Sequence, residues 1–239
     1  VKVMEAASDE LELVHADIGR AAYERHGSYL PGDTMKVMRE CDSCLFGAVT
    51  TVESADYSSP VLTFRKELDL YANVRPVRSL VQIEGRPSID VVIVRENTEG
   101  MYTQNEVFDD LGVTTMRKVT RRASERIVGF AIRYARAHGR RRLTCVHKSN
   151  VLKASDGLFV STFRELMASG GRGLEADEQL VDSCALKLVT EPSAFDAIVT
   201  LNLYGDILSD VAAGVAGGLG FAPSGNIGDK HSVFEPAHG

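Results

Sequence analysis

Residues 194–210 read AFDAIVTLNLYGDILSD, and the way this stretch divides decides the fold. From Phe195 to Leu201 it is apolar on both faces, as a strand covered on both sides must be. Directly after it, Asp206 and Asp210 stand one helical turn apart. A buried strand running straight into a helix is the building unit of an α/β protein. Two carboxylates on one helical face repel each other unless a cation lies between them or each finds its own partner. Two readings follow: a site for a hard divalent cation such as Mg²⁺ or Mn²⁺, or a solvated helix face.

The same pattern recurs upstream. DVVIV (90–94) and LTCVH (143–147) are further apolar runs of strand length, and longer helical patterns separate the three. In ASERIVGFAIRYARAHG (123–139) apolar residues recur at three and four, with Ser124 as the expected cap and Gly139 just past the end. SDGLFVSTFRELMASGG (155–171) reads as a second crossover, running from a Ser155 cap to Gly170. SPVLTFRKELDLYANVRP (59–76) has Ser59 as cap and Pro60 at the first helical position, and is expected to stay helical to Asn73. Residues 101–119 alternate about an Asp-Leu-Gly turn, which predicts an antiparallel arm. The expected class is α/β with a largely parallel sheet.

Composition narrows the function. The chain has 239 residues, enough for a large core, and a formal net charge of −6, which argues against a nucleic-acid binder. The short basic run HGRRRL (138–143) reads as a solvated helix end. No apolar run reaches membrane-spanning length and no signal peptide is evident, so no membrane partner and a cytoplasmic location are expected by default. Cys41 and Cys44 in CDSC lack the further ligands of a zinc set and are expected to be buried free thiols. The glycine-rich stretch 212–229 lacks the spacing of a dinucleotide fingerprint. The chain starts in mid-pattern and stops at EPAHG, which reads as a piece of a longer protein.

Ligands of open parallel sheets bind beyond the carboxyl ends of the strands. There the sequence offers Arg95 and Tyr102, then Lys148 and Asn150, then Asn202, Asp206 and Asp210. Arg65 and Arg75 flank the preceding helical stretch. Three guanidinium groups suited to bidentate carboxylate capture, a lysine and a carboxylate pair describe a site for a small di- or tricarboxylate.

Six ordered blocks, LDLYANVRP, VRENTEGMY, HKSNVLK, NLYGDILSD, GNIGD and FEPAHG, together resemble the β-decarboxylating dehydrogenases, the family of isocitrate, homoisocitrate and 3-isopropylmalate dehydrogenases. The resemblance implies a two-domain fold: 1–70 with 217–239 as a first, cofactor-side domain, and 71–216 as a second domain with the dimer interface and an arm at about 101–119. It further implies that Arg65, Arg75 and Arg95 hold the malate-like carboxylates, that Tyr102 and Lys148 form the acid–base pair, and that Asp182, Asp206 and Asp210 hold Mg²⁺ or Mn²⁺. Lys148 and Asp182 would serve the partner's site in a homodimer with shared active sites. Asn150, Glu235, His238 and Gly239 fall to the cofactor, NAD, with NADP open because the discriminating loop lies beyond residue 239. The family's glycine-rich opening turn is missing.

The activity implied is oxidative decarboxylation of a 2-hydroxy acid. Ser59, Val61 and Leu62 occupy the places that discriminate substrates, and an apolar wall of Val61 and Leu62 favours 3-isopropylmalate. Burying a branched alkyl group there gains about 1.5–3 kcal/mol, whereas a carboxylate would lack a partner. RENTEG points instead to the isocitrate and homoisocitrate branch. A reading of another class is a non-catalytic subunit, or a truncated chain that binds metal and carboxylate without turnover.

Overall fold

A computed structural model describes residues 10–47, 59–80, 87–103 and 105–236, together with 6, 8, 49, 84 and 85. Along the chain come helices α1 (Arg20–His26) and α2 (Gly32–Glu40), the short strand β1 (Cys44–Leu45), α3 (Pro60–Glu67), and strands β2 (Ala72–Arg78) and β3 (Asp90–Glu96). The hairpin β4 (Glu106–Asp109) and β5 (Gly112–Thr115) follows, then α4 (Arg121–Ala137), β6 (Arg142–His147), α5 (Ser155–Gly170), β7 (Glu175–Leu180) and α6 (Val181–Thr190). The described chain closes with β8 (Ala197–Thr200), α7 (Asn202–Ala216), β9 (Pro223–Ile227) and β10 (Ser232–Pro236).

Eight strands form one mixed sheet in the order β1-β10-β9-β2-β3-β8-β6-β7, and β4-β5 is the expected antiparallel arm. The β3, β8, β6 and β7 half is parallel throughout, while β2 and β9 run antiparallel to their neighbours. Helices cover both faces. Val92, Val94, Leu143, Cys145 and Val199 point to α4 and α5, whereas Val91, Ile93, Val146 and Ile198 point to α6 and α7. This is why the central strands read as unbroken apolar runs. A third core gathers Met35, Met38, Phe46, Phe64, Leu68 and Leu70 with Val233 of β10.

The helix expected to reach Asn73 stops at Glu67, and ANVRPVR is strand β2. The stop is a Schellman turn: Leu70 N–H bonds Arg65 O (2.9 Å), Asp69 N–H bonds Lys66 O (3.3 Å), and Asp69 takes the left-handed conformation (φ 47°) in place of the usual glycine. Pro76 is tolerated in β2 because β9 pairs only with Ala72–Val74. Ser59 caps α3 as expected, but α4 is capped by Thr120, whose Oγ1 accepts from Ala123 N. Ser124 lies inside α4 and bonds back to Thr120 O. Ser155 is the first residue of α5 rather than its cap. The HGRRRL run is not a free solvated end: Arg140 binds Asp90 and Asp196, and Arg142 binds Glu175. Cys41 and Cys44 are free but only half-buried.

Candidate active site

On the face of the sheet under α7, the side chains change from apolar to polar along the strands. Val77, Val91 and Ile93 belong to the core, whereas Arg75 and Arg95, with Asn73 of β2 and Asn226 of β9, form a polar layer at the carboxyl end of β3. Register creates this layer, since Asn73 lies opposite both Arg95 and Asn226. Arg65, in the last turn of α3, reaches it from the side.

Every guanidinium in the layer is bound. Arg65 Nε donates to Asn226 Oδ1 (2.8 Å) and Nη2 to Glu235 Oε1 (3.0 Å). Arg75 Nε donates to Asn73 Oδ1 (2.8 Å) and Nη1 to Ser209 Oγ (2.6 Å). Arg95 grips Asn202 Oδ1 with Nε and Nη2 (3.0 and 2.7 Å) and Asp206 Oδ1 with Nη1. Tyr102 donates its hydroxyl to the other Asp206 oxygen and lies under the Arg95 cation. Burial pulls the Arg65 guanidinium down to about 10, opposed by Glu235 and reinforced by the other two arginines. Burial also lowers Arg75. For Asp206, burial works to raise the carboxyl, but Arg95, the Tyr102 hydroxyl, Arg75 and Arg65 outweigh it and hold it below its usual value. Burial raises the Tyr102 phenol, and its bond to Asp206 raises it further.

The repulsion foreseen between Asp206 and Asp210 is relieved by a cation of the protein itself. The Arg75 guanidinium lies 3.2 Å from one and 3.7 Å from the other. This places both carboxylates on one side of α7, with only oxygen donors, which suits a hard divalent ion. Among the described residues no three His, Cys, Asp or Glu side chains gather closely enough to hold a metal. Asp182, the third expected ligand, is instead on α6, where it pairs with Lys148 Nζ (2.6 Å). That bond holds the Asp182 carboxyl below its usual value. Lys148 thus faces a carboxylate and not the arginines. Asp182 shares its helix face with the exposed Leu186 and Val189.

α3 carries the remaining expected residues. Ser59 Oγ accepts from Leu62 N (3.5 Å), Val61 packs against the third core, and Leu62 is half-buried one turn before Arg65. Asn150 is exposed in the turn after β6. Glu235, expected at the cofactor, lies inside the arginine layer, bound by Arg65 and by Asn226 Nδ2 (2.8 Å). His238 and Gly239 lie outside the described residues. The sequence reading missed Asn73, Ser209, Ser224 and Asn226 as site residues, although the motifs LDLYANVRP, NLYGDILSD and GNIGD contain three of them. It also missed why Gly205 stands in NLYGD: a Cβ there would lie 2.6 Å from Arg95 Cβ, so the glycine lets Arg95 pass beneath α7.

The isocitrate/isopropylmalate dehydrogenase family pattern matches residues 1–239. The chain belongs to this family. It is 47% identical over 247 residues to a 3-isopropylmalate dehydrogenase of Methanothermobacter thermautotrophicus, covering 100% of this chain and 74% of that protein. It is 43% identical over 244 residues to a homoisocitrate dehydrogenase of Methanocaldococcus jannaschii, covering 96% of this chain and 70% of the relative. With the isocitrate/homoisocitrate dehydrogenase of Thermus thermophilus the figures are 45% over 241 residues, 100% and 72%. The fold superposes on the crystal structure of isocitrate dehydrogenase from Methylococcus capsulatus with a TM-score of 0.94 at 40% identity, covering 100% of this chain and 72% of that one. As a family member it is a decarboxylating dehydrogenase, an oxidoreductase. Among the described residues no helix is long and apolar enough to cross a membrane.

Proposed function

We propose that the protein oxidatively decarboxylates a malate-type 2-hydroxy acid, with NAD(P) as oxidant and Mg²⁺ or Mn²⁺ as metal, and that the acid is 3-isopropylmalate. The observation that carries this reading is the convergence of Arg65, Arg75 and Arg95 on the polar end of the sheet beside Asp206, Asp210 and Tyr102. Bidentate guanidinium groups bind the two carboxylates of the substrate and fix which bond faces the reacting partners. A divalent cation held by Asp206, Asp210 and Asp182 of the partner subunit would, when bound, polarise the hydroxyl and its neighbouring carboxylate. A bound nicotinamide would supply the hydride acceptor that no side chain can provide. Lys148 of the partner subunit removes the hydroxyl proton. Tyr102 returns a proton to the carbon that loses CO₂, a role suited to a phenol whose raised pKa keeps it protonated.

In the free chain Asp206 is engaged by Arg95, Arg75 and Tyr102. A substrate carboxylate that takes over these donors frees Asp206 for the cation, so metal and acid bind best together. The exposed apolar residues on α6 and α7, Leu186, Val189 and Ile207, and the hairpin residues Phe108 and Leu111 supply a surface for a second copy. The third core, which joins Met35, Met38, Phe46, Phe64, Leu68 and Leu70 to Val233, supports a first domain of 1–70 with 217–239.

Leu62 carries the choice of substrate, because Val61 is turned to the core. Nicotinamide reduction by the full-length protein with Mg²⁺ and 3-isopropylmalate, isocitrate or homoisocitrate tests it. The highest kcat/KM is expected for 3-isopropylmalate, and Leu62→Arg should move preference towards homoisocitrate by about tenfold or more. A preference of the unmodified enzyme for a tricarboxylate would overturn the apolar wall.

A further inference from the structure

Asp156 is the second residue of α5 and is completely buried, yet it contributes no helix cap; the cap position is Ala154, with no side-chain bond. Four donors converge on its carboxylate. Oδ2 accepts from the backbone N–H of Lys148 (2.7 Å) and the Tyr204 hydroxyl (3.1 Å), and Oδ1 from Arg117 Nη1 (2.5 Å) and Ser155 Oγ (3.4 Å). The Arg117 guanidinium also lies over the Tyr204 ring, 5.1 Å from its centroid. A buried carboxylate is costly unless fully bound, and this one is bound from the turn after β6, from α7 and from the segment after the hairpin.

Two of those elements carry a residue to which the proposed function gives chemistry, and the third is bonded to the segment that bears Tyr102. Lys148 begins the turn after β6. Tyr204 stands two residues before Asp206 on α7. Arg117 follows the hairpin and adjoins Lys118, whose carbonyl accepts the N–H of Gly100 (2.9 Å) close to Tyr102. The turn at Lys148 is closed on both sides: its carbonyl accepts from Val151 N and Leu152 N (3.0 and 2.9 Å), and Leu152 O accepts from Asp156 N (3.0 Å). With both backbone groups held, only side-chain torsions decide where Nζ lies.

We infer that Asp156 is a positioning residue: it fixes the backbone of Lys148 and ties it to the segments bearing Asp206 and Tyr102, so that the ammonium is presented in one geometry. The inference rests on the reading of Lys148 as the proton-transfer lysine. Misplacing such a group by about 1 Å costs about a hundredfold in rate.

The test is kinetic, on the full chain. Asp156→Asn keeps the size of the side chain but loses one acceptor and the charge; kcat should fall about 10- to 100-fold with KM for the acid changed by less than about twofold. In a Lys148→Ala background the same substitution should cost nothing more, because the group it positions is gone. Tyr204→Phe removes a single donor with little risk to folding, and should lower kcat severalfold with the same dependence on Lys148. Unchanged kcat in folded Asp156→Asn or in Tyr204→Phe, or a further loss of equal size in the Lys148→Ala background, would overturn the inference. Full activity of Lys148→Ala alone would overturn the reading of Lys148, and this inference with it, a result distinguishable from the others.

Discussion

Arg95 and Lys148 are both cations that close a parallel strand, and their surroundings are opposite. Arg95 is 1% exposed and spends its donors on Asn202 and Asp206 within its own chain. The Lys148 ammonium pairs with Asp182, whose side chain is 63% exposed on a helix face shared with Leu186 and Val189. Charges buried together must be satisfied internally, because removing one partner of a buried pair costs about 3–5 kcal/mol. An exposed pair contributes about 0–1 kcal/mol and can be re-used without harm to the fold. Under the proposed function, the arginine layer is a half-site finished by folding, and the Lys148–Asp182 pair a half-site turned outwards.

The largest effect should come from breaking the finished half. Asp206→Asn should lower Mg²⁺-dependent kcat/KM on the order of a thousandfold while circular dichroism stays native; full activity at saturating Mg²⁺ would contradict the role given to this carboxylate. Gly205→Ala probes the same half by shape. In most helices this change stabilises by about 0.5–1 kcal/mol, but here the added methyl meets Arg95 at 2.6 Å, so a lowered Tm and a loss of about 100-fold in activity are expected. An unshifted or raised Tm would mean that Arg95 can move aside.

The outward half should respond in assembly rather than in folding. Leu186→Glu places a charge beside Asp182 on the exposed face of α6 and should shift sedimentation towards monomers with activity falling in parallel, while the unfolding free energy of the isolated chain changes by less than about 0.5 kcal/mol. Retention of the wild-type assembly would remove that face from the interface. The smallest effect concerns neither half. Asp196 accepts from the Arg141 and Arg142 N–H groups and from Arg140; burial works to raise its carboxyl, yet these partners hold it below the usual value. A depressed carboxyl stabilises above its unfolded value near 3.8 and loses that contribution as pH falls through the folded one. Asp196→Asn should thus cost about 1 kcal/mol at pH 7 in chemical denaturation, the gap to wild type closing below pH 4.

What the sequence made legible follows the physics of each feature. The central strands were readable because burial on both faces leaves apolar runs, and the arm because its polar and apolar residues alternate about a turn. The end of α3 was not, because Leu68, Tyr71 and Val74 continue a helical spacing and the stop is made by Asp69, a residue that seldom takes positive φ. Arg65, Arg75, Arg95, Asp206 and Tyr102 could be gathered from their positions after strands and from the resemblance. Asn226 and Ser224 enter the site through the register of β9 on β2, and three of the four donors to Asp156 lie 8 to 48 residues away along the chain. Nothing local announces such partners.

The central claim, that one site is assembled from a finished half and an outward half of two different chains, is tested most directly by subunit complementation. Lys148→Ala and Arg95→Ala variants, each with only a small residual activity alone, are mixed in equal amounts and allowed to exchange, with heterodimer formation verified by mass spectrometry. Half of the dimers are then mixed, and each holds one site in which both halves are intact, so about a quarter of wild-type activity should return. No recovery after verified exchange would contradict the shared site.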